Sequence, residues 1–137
     1  MFLRNRLLQL TIVALSLAIG TQAEDKANCS NATLHGSYGL HATGTVIGVG
    51  DFAAVGHFTF DGTGNLTGKV FLRVNGDNIE PPEFTGTYSV SPDCTVTDSW
   101  GAPINSTHVS VIVDNGKGYF ILGNSGSGTI SGEAKRQ

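Results

Sequence analysis

The feature that most constrains this chain is a repeated one. A run of β-prone residues is followed by a glycine-, asparagine- or aspartate-rich turn, with no helix-period segment between them. The runs cover residues 36–47, 52–60, 66–74, 84–90, 94–100, 107–114, 119–122 and 129–134. Asp61-Gly62-Thr63-Gly64-Asn65 and Asn115-Gly116-Lys117-Gly118 are hairpin signals, and Pro81-Pro82, Pro92 and Pro103 mark further breaks. Links this short join antiparallel neighbours, because a parallel pair needs a crossover of about a dozen residues or more. Eight such strands in sequence predict an all-β fold, an eight-stranded antiparallel up-and-down barrel. An open sandwich is the alternative. The 19 glycines lack a Gly-X-Y period, which excludes collagen and fits tight turns.

The first 23 residues stand outside this pattern. Arg4 and Arg6 precede an apolar stretch over residues 7–19, and Thr21-Gln22-Ala23 offers a small residue for cleavage before Glu24 and Asp25. That is the layout of a secretory signal peptide, and the apolar stretch is shorter than the roughly 20 residues needed to span a bilayer. The expected organisation is therefore residues 1–23 as a signal peptide and residues 24–137 as one barrel domain. The product would be secreted or periplasmic, with no membrane span left after cleavage. Cys29 follows Lys26-Ala27-Asn28 rather than a small apolar box, so a lipoprotein is not expected. Cleavage removes Arg4 and Arg6 but none of the eleven acidic residues, taking the net charge from −3 to −5. A chain this acidic lacks the basic stripe of a nucleic-acid partner.

Two cysteines, Cys29 and Cys94, are left in an oxidising compartment and predict a disulfide. Strand counting offers an internal check. If the first strand runs upward, its start and the turn before Cys94 lie at the same, lower end of the barrel. The 61–65 and 115–118 turns fall there too, whereas the connections 48–51, 75–82, 101–106 and 123–128 gather at the upper end. A mouth, if the barrel has one, is expected at the upper end.

Four blocks point to a known group: residues 29–39 (Cys-Ser-Asn-Ala-Thr-Leu-His-Gly-Ser-Tyr-Gly), 60–65 (Phe-Asp-Gly-Thr-Gly-Asn), 86–94 (Gly-Thr-Tyr-Ser-Val-Ser-Pro-Asp-Cys) and the closing 130–137 segment. Together they resemble small secreted bacterial proteins of the allene-oxide-cyclase barrel-like type. The resemblance implies a calycin- or dirigent-shaped eight-stranded barrel. Some relatives of that shape are cyclases that close rings inside the lumen. It carries over no defined set of catalytic residues, because the matching blocks lie at turns, cysteines and strand starts.

The candidate site is the inward face, where packed core is the default reading and a cavity for one small apolar ligand is the alternative. Tyr38, Phe58, Phe60, Leu72, Phe84, Tyr88 and Trp100 are the expected ligand-binding residues, and Leu40, Val109, Val111 and Val113 share the apolar parity of their strands. Asp98 and Tyr88 are the weak candidates for catalysis. Asp98 shares a parity with Val96 and Trp100, but an unpaired aspartate is seldom buried, so a solvated side chain is expected. His35, His41, His57 and His108 show no metal-ligand spacing and are expected at the surface. No metal and no cofactor is predicted. Gly123-Asn124-Ser125-Gly126-Ser127-Gly128 lacks the strand-to-helix setting of a nucleophile elbow and the Lys-Ser/Thr of a phosphate loop. Asn28, Asn31, Asn65 and Asn105 begin Asn-x-Ser/Thr triplets and are read as turn asparagines.

The functional expectation is an exported barrel that binds a small apolar molecule in its lumen. The alternatives are a cyclase or isomerase acting on a hydrophobic substrate there, and an envelope protein without a pocket.

Overall fold

A computed structural model of the protein describes residues 27–126 and 128–137. The proposed signal segment lies outside the described residues. Nine strands are formed among those described: β1 (His35–Val46), β2 (Gly50–Asp61), β3 (Asn65–Val74), β4 (Asp77–Ile79), β5 (Phe84–Val90), β6 (Thr95–Trp100), β7 (Ser106–Val113), β8 (Gly118–Gly123) and β9 (Gly128–Arg136). Each pairs antiparallel with its neighbour. The β2–β3 and β1–β9 pairings close eight of them into the barrel expected from the turn pattern. The ninth, β4, hangs on β3 as a rim hairpin, with Leu72 opposite Ile79 and Val74 opposite Asp77. It occupies part of what the turn signals mark as a plain loop.

Strand alternation builds the core. Tyr38, Leu40, Phe58, Phe60, Leu66, Val70, Phe84 and Tyr88 all point inward and are buried, while their sequence neighbours face out. Small residues make room at two seams. On the β1–β9 seam, a side-chain carbon at Gly44 would collide with the Thr129 carbonyl, and one at Gly132 with the His41 carbonyl. On the inner wall, a Cβ at Gly68 would stand 2.6 Å from the Phe84 ring and 2.8 Å from the Phe58 ring.

The lower end is sealed by the N-terminal segment. A short 3-10 turn at Asn31–Thr33 places Leu34, 1% exposed, beneath the core. The disulfide joins Cys29 to Cys94 with Cα atoms 5.0 Å apart. It ties that segment to the β5–β6 turn, where Cys29 N also donates to the Pro92 carbonyl at 3.2 Å. Closing a loop with a sequence separation of 65 stabilises the fold by about 4 kcal/mol in the chain-entropy account. At the neighbouring β2–β3 turn, Asp61 Oδ1 accepts from the amides of Thr63, Gly64 and Asn65, and Oδ2 accepts from Asn65 Nδ2. The Asn65 side chain and these amides hold the Asp61 carboxyl well below the usual carboxylate range. Asn31 Oδ1 accepts from Val90 N at 2.8 Å, so Asn31 and Asn65 both serve local structure.

Candidate functional site

The barrel interior divides into two parts. In the lower half Tyr38, Phe60, Tyr88 and Tyr119 meet edge to face or tilted, with ring centroids 5.0–5.8 Å apart. The hydroxyls of Tyr38 and Tyr88 are tied down. Tyr38 Oη donates to the Gly116 carbonyl at 2.5 Å and accepts from Arg136 Nη2 at 2.9 Å. The Tyr88 hydroxyl lies 2.9 Å from the Leu34 carbonyl and 3.0 Å from that of Asn31. Burial pushes the hydroxyls of Tyr88 and Tyr119 above their ordinary range.

The upper half is lined instead by smaller and aliphatic side chains, and they leave a cavity of about 180 Å³. Leu40, Ala42, Ala54, Val70, Leu72 and Ile121 supply much of its apolar wall. Phe52, Ile104, Ser125, Gly128 and Ile130 stand around its upper part, at the end where the longer connections gather. Ile104 is held there by the β6–β7 loop, whose Ile104 and Asn105 amides both donate to the Gly101 carbonyl at 3.1 Å.

Polar groups are buried along the β6–β7 side of the lumen, and of these Ser106 and His108 line the cavity. Trp100 faces Ser106 across the pairing, Asp98 faces His108, and Val96 faces Ser110. Residues directly opposite in an antiparallel pair share a face. Burying the large Trp100 and Val96 therefore carries Asp98, Ser106, His108 and Ser110 into the lumen. His108 Nδ1 and Asp98 Oδ1 are hydrogen-bonded at 2.7 Å, with the side chains 9% and 5% exposed. The imidazole lies against the Trp100 indole, centroids 4.0 Å apart. Behind that indole, Phe58 and Phe84 lie 4.7 and 5.4 Å away.

This placement corrects three expectations. Asp98 is buried rather than solvated, because His108 provides the partner that makes burial tolerable. His108 is an interior residue rather than a surface one, whereas His35, His41 and His57 are exposed. Val111, at 47% exposed, faces out, and the buried parity of β7 is His108, Ser110 and Ile112. The valines Val109, Val111 and Val113 yield the interior because the hairpin register with β6 outweighs the hydrophobicity of β7 taken alone.

Burial pushes the Asp98 carboxyl up, against the hydrogen bond from His108, which pulls it down. With Asp98 ionised, His108 Nδ1 carries the proton. Ser106, which lines the same cavity, and Ser110 have buried hydroxyls that make no hydrogen bond. Ser106 is thus not coupled to His108 as an activated nucleophile would be. Among the described residues, no three His, Cys, Asp or Glu side chains converge as metal ligands.

Of the residues expected to meet a ligand, Leu72 and Trp100 line the cavity. Phe58 and Phe84 back Trp100, and Tyr38, Phe60 and Tyr88 belong to the packed lower cluster. Tyr88, a weak catalytic candidate, has its hydroxyl occupied by backbone carbonyls there. His108, expected at the surface, and Ser106, which no motif marks, also line the cavity. The signal that finds them is the Val96-x-Asp98-x-Trp100 parity carried through the hairpin. A second feature lies on the outer wall, where Val111 pairs with Phe120 and Val109 with Leu122. Phe120 and Leu122 are 55% and 52% exposed.

No protein-family model matches this chain, and no curated protein does. Among solved structures it is similar to a redesigned β-barrel, at 17% sequence identity and a TM-score of 0.53, covering 82% of this chain and 96% of that one. At this identity the likeness shows the fold alone: a small closed β-barrel.

Proposed function

We propose that this protein is an exported barrel that binds a small apolar molecule in the upper half of its lumen. The observation that carries the reading is the cavity itself, about 180 Å³ with a mostly apolar wall and one buried polar cluster. That combination is the usual form of a small-molecule site. An apolar cavity of about 150 Å³ is enough to hold benzene, so a single ring fits and a long chain does not. The disulfide, together with the absence among the described residues of a helix long and apolar enough to cross a membrane, is compatible with the exported location.

The test is native mass spectrometry of protein purified from its own host, followed by titration with toluene while watching Trp100. Trp100 is the chain's one tryptophan and lines the cavity. The reading expects a co-purified small molecule and saturable quenching. A bare mass together with an unresponsive Trp100 would contradict it.

A second reading, a cyclase or isomerase of the kind the sequence resemblance suggests, is favoured by the Asp98–His108 pair. Such a pair can move a proton beside a confined substrate. Retained turnover after Asp98→Asn would argue against it. A pocketless envelope role draws support only from the exposed Val111, Phe120 and Leu122 on the outer wall, and sedimentation of the purified barrel tests whether that wall self-associates.

A further inference from the structure

We infer that the barrel assembles side by side with further copies of itself, the β7–β8 wall of one copy docking on the β2–β3 wall of the next. This goes beyond the lumen-binding reading and does not depend on it, because the side chains concerned face away from the lumen. Closing the barrel removes the sheet edges through which strands of different chains pair, apart from the three-residue β4. A contact between copies therefore has to use side chains on the outer wall. Two stretches of that wall are apolar. On β7 and β8 the outward pairs are Val111 with Phe120 and Val109 with Leu122. On β2 and β3 Val55 is paired with Phe71, and these two are 52% and 42% exposed. Large apolar side chains gathered in a patch, rather than scattered singly, mark an interaction surface.

The two patches lie on opposite walls. Around the closed sheet, β9 and β1 separate them on one side and β6 and β5 on the other. They also differ in shape and charge. Phe120 and Leu122 alternate outward on β8 and stand more than half exposed. The β2–β3 wall instead carries a shallow groove lined by His41, Ala53, Val55, Phe71, Arg73 and Asn78. Lys69 and Arg73 flank Phe71 on the outward face of β3. Arg73 donates to Asn78 Oδ1 at 3.0 Å and has no salt bridge among the described residues. Glu133 stands opposite Phe120, and its contact with Lys135 is a long one of 3.7 Å between exposed side chains. Seating Phe120 in the groove of the next copy thus brings an acidic residue to a basic wall. Two β7–β8 walls face to face would give Phe120 no groove, and two β2–β3 walls would gather basic side chains. A contact between unlike, opposite walls is heterologous and repeats as an open row. The upper end belongs to neither wall and stays clear.

Sedimentation velocity of the purified protein at rising concentration tests this, with Phe120→Glu and Phe71→Glu as the variants. Both positions face outward, and thermal unfolding checks that each variant is folded. The wild-type protein is expected to show a mean mass that climbs with concentration past the dimer. Each variant alone loses one wall and should associate about tenfold more weakly or worse. An equimolar mixture of the two keeps one intact wall of each kind, so it should form one-to-one dimers that grow no further. Wild-type protein that stays monomeric at millimolar concentration would overturn the inference. Assembly that stops at a dimer and survives Phe71→Glu would overturn it too, because the β7–β8 wall would then be meeting its own copy. A mixture of folded variants that fails to pair, where the wild type associates, contradicts the docking of one wall on the other. The toluene titration of the lumen is a separate readout, so a failure here leaves the lumen-binding reading intact.

Discussion

The lower and upper halves of the barrel are built by the same strands on the same alternation, yet one is solid and the other hollow. Below, Tyr38, Phe60, Tyr88 and Tyr119 fill the lumen edge to face, and Leu34 plugs the end. Above, Ala42, Ala54 and Gly123 occupy inward positions, and the volume they leave unfilled contributes to the cavity. Polar groups follow the same division. The lower tyrosine hydroxyls of Tyr38 and Tyr88 are hydrogen-bonded to backbone, which fixes the structure. Above, the polar contact is between side chains, His108 with Asp98, and the buried Ser106 and Ser110 hydroxyls make no hydrogen bond. An eight-stranded barrel is only just wide enough to be filled by side chains, so the choice between aromatic and small residues at each level decides whether that level is core or site.

The sharpest way to break this contrast is truncation at the two levels. Phe60→Ala, in the packed half, is expected to destabilise by about 3–5 kcal/mol. Leu72→Ala, which only enlarges an existing cavity, should fall near or below the about 2 kcal/mol lower bound for such changes. Urea unfolding of both variants measures the difference, and equal losses would mean that the upper half is packed as tightly as the lower.

The Asp98–His108 pair comes next. His108→Leu leaves a buried carboxylate without its partner and should cost about 3 kcal/mol or more. Asp98→Leu/His108→Phe should lie within about 1–2 kcal/mol of wild type. A double variant as unstable as the single one would assign the pair to the fold rather than to the site.

Ala42→Leu, which fills the cavity from β1, should change stability by no more than about 1–3 kcal/mol while removing toluene binding in a Trp100 titration. The same enlargement at Gly68, where the Phe58 and Phe84 rings leave no room, should destabilise without any gain in filled space.

The smallest effects are in pH dependence, and they have opposite signs at the two ends. Asp61 has a folded pKa below its unfolded value, so its contribution is present above the ordinary carboxylate range and is lost as pH falls through the folded value. Asp98 has a folded pKa above its unfolded value, so its ionisation erodes stability as pH rises from the ordinary carboxylate value through the raised one. Asp61→Asn should flatten the acid limb of a stability–pH curve, and Asp98→Asn the limb above it.

The barrel was legible because its turns are local. Asp61-Gly62-Thr63-Gly64-Asn65 and Asn115-Gly116 fix hairpins from a few residues each, and counting strands places Cys29 and Cys94 at one end. The site was half legible. Trp100 and Leu72 could be read from alternation, but the faces of β7 could not, since Val109, Val111 and Val113 make the more apolar side of that strand and still lie outside or half-buried. What settles that face is non-local: the register that sets His108 opposite Asp98 and Ser106 opposite Trp100. The upper end was legible as the place for a mouth, but the cavity itself was not, because it depends on small side chains contributed by strands far apart in sequence.

The division into a solid lower half and a hollow upper half is tested most directly by a crystal of the barrel pressurised with xenon, which enters dry apolar cavities. The account predicts xenon density in the upper lumen, in contact with Trp100, Leu72 and Ile121, and none among Tyr38, Phe60, Tyr88 and Tyr119. Xenon in the lower cluster, or none anywhere in the barrel, would contradict it.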